Sequence, residues 1–164
     1  MIEGPPLHAD VAPLELLIGA WRGEGAGRYP TISPFAYGEE VRFWHIGRPF
    51  LVYSQSTWSP SDGSPMHGET GFWRPKPEGR LEVVLAHPSG VVEVEEGSIV
   101  VDRGALRIQL ATTTVGLTTT AKRVDALSRS FTIEGDTLSY SVGMAAVGQG
   151  LQHHLGAELR RVAD

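Results

Sequence analysis

Cysteine is absent from this 164-residue chain. Its absence excludes disulfides, thiolate metal sites, iron–sulfur clusters, cysteine nucleophiles and cofactor attachment through Cys-x-x-Cys-His. Long apolar runs are also missing: no stretch approaches the ~18 residues of a membrane span. The opening Met-Ile-Glu-Gly-Pro-Pro-Leu-His has neither the basic start nor the apolar run of a secretory signal. Positive charge is scarce, with 14 Lys and Arg against 19 Asp and Glu and a net charge of −5. A nucleic-acid binder usually carries a basic surface, and an anionic membrane repels a chain of this sign. The expectation is a soluble cytoplasmic protein that touches neither nucleic acid nor membrane. No Gly-x-Ser-x-Gly elbow, phosphate loop, dinucleotide fingerprint or His-Glu-x-x-His occurs.

What is present fits one domain spanning residues 1–164, long enough for a single core. Hydrophobic residues make up 41% and charged residues 20%, as in ordinary globular proteins. The 20 glycines and 11 prolines are spread along the chain and separate short segments, as turns do in all-β proteins. Residues 13–18 predict a short helical turn, with Leu14, Leu17 and Ile18 on one face. Gly19-Ala20-Trp21-Arg22-Gly23-Glu24-Gly25 reads as a first strand in which glycines permit bending and Trp21 plugs one end. Further strands are predicted at 41–44, 50–58, 66–74, 81–87, 91–101, 106–113, 121–133 and 137–147. In the last of these, Leu138, Tyr140, Val142, Met144 and Ala146 share a face.

Sequential strands joined by short turns form a meander, and a meander of about ten strands usually closes because closure removes its edges. Such a barrel can enclose a ligand. The final segment, 151–162, is ambiguous by periodicity. Leu151, Leu155 and Leu159 suit a helix face or one strand face, and the strand reading completes the barrel. As a strand its other face carries Gln152, His154, Gly156, Glu158 and Arg160.

Candidate chemistry rests on histidine and methionine. His153 and His154 are adjacent, so in a regular strand only one of them faces the interior. A neutral imidazole in an apolar cavity can ligate an iron as a single axial ligand. His67 and His87, beside Met66 and Pro88, fall in neighbouring predicted strands and either pack as hydrogen-bonded side chains or line one cavity. Met144 reads as a gap filler on an apolar face. A zinc site is not expected, because no close His-x-His pair or carboxylate partner is evident.

An ordered series of motifs runs through nearly the whole chain. It begins with Leu17-Ile18-Gly19-Ala20-Trp21-Arg22-Gly23-Glu24-Gly25, Tyr29-Pro30-Thr31-Ile32, Phe35 and Tyr37-Gly38-Glu39-Glu40. It continues through Gly47-Arg48-Pro49-Phe50, Pro65-Met66-His67-Gly68-Glu69-Thr70-Gly71 and Ala86-His87-Pro88-Ser89-Gly90. It ends with Leu138-Ser139-Tyr140 and His154-Leu155-Gly156-Ala157-Glu158-Leu159. This series resembles the nitrobindin family, in particular its actinobacterial members.

The resemblance implies an all-β fold: a ten-stranded antiparallel β-barrel of calycin, fatty-acid-binding-protein-like shape, with a short N-terminal helical turn. It implies one non-covalent heme b per subunit and an iron that binds nitric oxide and isomerises peroxynitrite to nitrate. The family's proximal ligand matches His154, and Met66, His67, His87 and Met144 match positions around its heme cavity. Thr31 and Lys122 match positions associated with the heme edge or propionates, where a lysine can pair with a carboxylate. His153 stands where the family requires no histidine. The expected partners are peroxynitrite and nitric oxide, with a second copy of the chain as a candidate. Two alternatives stay open: a calycin-type carrier of a fatty acid or other apolar ligand without catalysis, and a heme-based sensor or carrier. A lipid carrier needs no imidazole aimed into its cavity and more often uses a buried arginine for a carboxylate.

Overall fold

The computed structural model describes residues 4–163. Ten strands follow a 3₁₀ helix over Ala9–Leu17: β1 Gly19–Tyr29, β2 Ile32–Trp44, β3 Leu51–Trp58, β4 Pro65–Lys76, β5 Arg80–Ala86, β6 Val91–Asp102, β7 Ala105–Leu117, β8 Val124–Glu134, β9 Thr137–Ala146 and β10 Gln152–Arg161. Each pairs antiparallel with its sequence neighbour, and β1 pairs with β10, from Trp21 opposite Arg161 to Gly27 opposite Leu155. The barrel is closed, and none of its ten strands is left as an edge among the described residues.

The helix buries Val11, Leu14 and Leu17. That spacing of three matches the 3.0-residue turn of a 3₁₀ helix, so the buried face starts earlier than the expected Leu14–Leu17–Ile18 set. The helix closes one end of the barrel. Trp21 Nε1 donates to the Leu17 carbonyl at 2.8 Å, and the Arg161 guanidinium lies over the Trp21 ring at 4.2 Å. Above this plug the barrel is filled by Phe43, Leu51, Trp73, Leu81, Val83, Leu106, Ile108, Ile133, Leu138 and Leu159. The other end is not filled.

Strand ends differ from the sequence reading where proline or bulges intervene. β2 begins at Ile32 rather than 41, with exposed Pro34 beside a register shift between Gly27 and Tyr29 of β1. A bulge is where a strand tolerates a residue without an amide N–H. The glycines of β1 serve close approach. A Cβ on Gly25 would lie 2.4 Å from the Tyr37 ring and one on Gly27 2.2 Å from the Phe35 ring, so β2 can lay both aromatics across β1.

Candidate functional site: a half-filled barrel with an imidazole on one wall and a charged cluster on the other

The unfilled half of the barrel holds a cavity of about 350 Å3, within the range of small-molecule sites. Ile32 and Met66, both in its lining, are about half exposed, so its mouth opens to solvent. Val41, Val91, Leu127, Phe131 and Val142 supply apolar wall.

His154, Met66, His67, His87 and Met144 all line this one cavity. Thr31 and Lys122 do not. Thr31 sits in the turn before lining residue Ile32, and Lys122 is exposed in the loop before lining residue Val124. Neither is part of the cavity wall.

Strict alternation along β10 puts His154 on the face opposite Leu155, yet both line the cavity. The register against β9 explains this. His153 opposes Gly143 and Leu155 opposes Val142, so His154 is the extra residue of a β-bulge. Bulges re-aim side chains in this way. His153, the rival, is exposed and borders a separate surface groove with Arg28 and Pro34.

The His154 ring is held on two sides. Its Nδ1 lies 3.0 Å from the Arg28 carbonyl, an acceptor, so Nδ1 carries the proton and Nε2 keeps its lone pair. Tyr29 meets the ring edge-on with centroids 5.3 Å apart. Tyr29 is itself fixed: its hydroxyl accepts from the Ala146 amide at 2.8 Å and donates to the Met144 carbonyl at 3.0 Å. Burial pushes the His154 pKa down, which keeps the ring neutral near pH 7. A backbone-anchored neutral imidazole with a free Nε2 is what an axial ligand requires.

The opposite wall is polar. In the ring of ten strands, β5 lies five places from β10, with β4 and β6 beside it. There Arg129 is buried and donates to Glu69 Oε1 through Nη1 at 2.8 Å, to Glu93 Oε2 through Nη2 at 2.7 Å and to Glu95 Oε1 through Nε at 3.1 Å. His87 bridges the cluster, with Nδ1 3.3 Å from Glu69 Oε2 and Nε2 against Glu93 Oε2. His67 Nε2 lies 3.1 Å from His87 Nδ1. Tyr53 donates to Glu69 Oε1 at 2.7 Å.

Burial alone raises the pKa of Glu69 and Glu93, but Arg129 overcomes it and both stay below the usual carboxylate range. Glu95, deprived of solvent and next to Glu93, is pushed up to about 9 and is neutral at pH 7. A neighbouring carboxyl, Glu39, accepts from Gln55 at 2.8 Å and from Tyr140 at 2.7 Å, and burial raises it to about 7.

Sequence reasoning missed Arg129 and the four glutamates. The stretch Val91-Val92-Glu93-Val94-Glu95-Glu96 invites the opposite reading, with Val92 and Val94 inside. The structure buries Glu93 and Glu95 and exposes those two valines. The one available signal was Arg129 itself, a charge on the face of β8 that also carries Leu127, Phe131 and Ile133.

Fold and site together define a ligand-holding calycin-like barrel: one end packed solid, the other a cup with the anchored His154 imidazole on one wall and a charged cluster on the other. A model of the THAP4-like, heme-binding β-barrel domain matches residues 10–161, and the chain belongs to that family. Heme is therefore the cofactor its cup takes, and the free Nε2 of His154 beside the apolar wall of Leu127, Phe131 and Val142 fits it. A peroxynitrite isomerase 2 of Mycobacterium avium is 57% identical over 155 residues, covering 94% of this chain and 96% of that one. A peroxynitrite isomerase of Nocardia farcinica is 52% identical over 156 residues, covering 94% and 92%. The crystal structure of Rv2717c from M. tuberculosis superposes with a TM-score of 0.95 at 50% identity, covering 96% of this chain and all of that one.

Proposed function

We propose that this protein is a heme-dependent peroxynitrite isomerase, that His154 is the axial ligand, and that the same site takes up nitric oxide. The observation that carries the reading is the free Nε2 of His154 inside the cavity, its Nδ1 committed to the Arg28 carbonyl. Ferric heme held there would supply the Lewis-acid chemistry for isomerising peroxynitrite to nitrate.

The chain's own part is to bind and orient. The Arg28 hydrogen bond and the Tyr29 edge set the imidazole's direction. Met144, Val142, Phe131 and Leu127 line the cavity and would give a bound heme an apolar wall that keeps water away. Thr31 and Lys122, next to the lining segments, are the residues that would meet the heme edge, where an exposed ammonium can pair with a carboxylate. His67 stands on the wall across from His154, and His87 behind it has both ring nitrogens engaged by His67, Glu69 and Glu93.

The relatives' names support the isomerase activity. The fatty-acid alternative is disfavoured by Arg129. A buried arginine does face the cavity, but Glu69, Glu93 and Glu95 already occupy it.

A homodimer is part of this reading. Trp44, Val52, Phe72, Val84 and Val94 are aligned across β2 to β6 on the barrel exterior. Trp44, Phe72 and Val94 are exposed, and Phe50 packs against Phe72 at 5.4 Å. An uncharged stripe of this kind suits a two-fold self-contact.

The test is hemin titration followed by stopped-flow kinetics. The Soret band should sharpen at one heme per chain, be lost in His154→Ala and persist in His153→Ala. Ferric holo-protein should accelerate peroxynitrite decay while heme-free protein should not. Wild-type heme binding by His154→Ala removes the ligand assignment, and equal decay rates remove the activity.

A further inference from the structure

No zinc site is expected from the sequence, yet His67 stands two residues from Glu69 and the fold adds His87. His67 and Glu69 lie two residues apart on the inward face of β4, and His87 follows β5, the neighbouring strand. One donor atom from each of His67, Glu69 and His87 lies within 4.8 Å of the other two. We propose that His67 Nε2, His87 Nδ1 and Glu69 Oε2 form a three-ligand site for a divalent cation of the zinc class, with a fourth position open to the cavity.

The spacing fits. Zinc bonds of about 2.0–2.2 Å in a tetrahedron separate neighbouring donors by about 3.3–3.6 Å. Here His67 Nε2 to His87 Nδ1 is 3.1 Å, and His87 Nδ1 to Glu69 Oε2 is 3.3 Å. A proton shared by the two ring nitrogens and a cation bridging them are alternatives for the same gap. Three protein ligands with one open position is the pattern of a zinc site that takes an exogenous ligand, whereas structural sites are closed by four.

The surroundings are built for this donor set. Glu69 Oε1 receives the short bonds from Tyr53, 2.7 Å, and Arg129, 2.8 Å, while Oε2 has one long bond from Arg129 at 3.2 Å and keeps capacity toward His87. The other nitrogen of His87 meets Glu93 Oε2. A carboxylate behind a ligating histidine fixes its tautomer and strengthens its donation. Arg129 does not forbid a second cation, because two ionised carboxylates, Glu69 and Glu93, face that one guanidinium. The site stands across the cavity from His154 and shares no ligand with it.

The test is a Co2+ titration of the full chain, kept heme-free so that no Soret band hides the cobalt transitions, with Zn2+ competition by calorimetry. Visible d–d bands at one cobalt per chain, displaced by Zn2+, are expected. His67→Ala, at the exposed mouth where folding is least at risk, should weaken binding by about a hundredfold or more. Glu93→Gln should weaken it by about 10–100-fold, and His154→Ala should leave it unchanged. The proposal is overturned by absent d–d bands in the wild type, by wild-type affinity in His67→Ala, or by loss of cobalt in His154→Ala.

Discussion

Replacing Arg129 by methionine should cost this barrel more than any other single charge change. The guanidinium makes four hydrogen bonds of 2.7–3.2 Å to Glu69, Glu93 and Glu95. Methionine fills part of the volume but leaves those carboxyls in the wall without a counter-charge. Removing one partner of a buried ion pair costs about 3–5 kcal/mol. For a chain of this size that lowers Tm by roughly 2–4 °C per kcal/mol, or about 6–20 °C.

The loss should depend on pH with a definite sign. In the wild type Glu69 and Glu93 have lowered pKa values, so their stabilisation is present above the unfolded carboxylate pKa of about 4.3 and is lost as pH falls through the folded values. Without Arg129, burial raises both, and the variant instead loses stability as pH rises. The gap between the two proteins should therefore widen from pH 5 to pH 8. Urea denaturation at both pH values measures it, and Arg129→Met/Glu69→Gln should recover part of the loss. A gap below about 1 kcal/mol at pH 8, or one larger at pH 5, refutes the account of the cluster.

Glu39→Gln should remove a pH-dependent weakness. Glu39 is raised to about 7, so its contribution is full below the unfolded pKa and declines as pH rises through 7. At 1.36 kcal/mol per unit the decline is on the order of 3 kcal/mol. Denaturation should show the variant gaining on the wild type between pH 5 and pH 8, and parallel pH curves would contradict this. Leu14→Ala, in the fully buried plug, should lose about 2–5 kcal/mol with heme stoichiometry unchanged; loss of heme binding would show that plug and cup are not independent. Phe72→Glu, placing a charge in the exterior apolar stripe, should give a monomer in sedimentation experiments while retaining the Soret band. A dimer that survives the charge locates the self-contact elsewhere.

Much of the fold was legible because it follows from local chemistry. Glycine and proline punctuation marked the turns, and the Leu138–Ala146 alternation marked β9. The run from Leu151 to Leu159 was open between helix and strand in isolation. It became β10 because β1 and β9 both offer it unpaired backbone groups.

The residues alone determined a cysteine-free, acidic, turn-rich chain, its β-barrel class, and the histidines and methionines that gather in one cup. Tertiary structure decided what those residues do there. A bulge against Gly143 and Val142 rotates His154 inward and leaves His153 outside, which no two-residue period can express. Arg129 on β8 draws Glu69, Glu93 and Glu95 inward from β4 and β6 and turns Val92 and Val94 out to solvent. An ion pair between residues 60 positions apart depends on strand order and register, and these exist only once the barrel has closed.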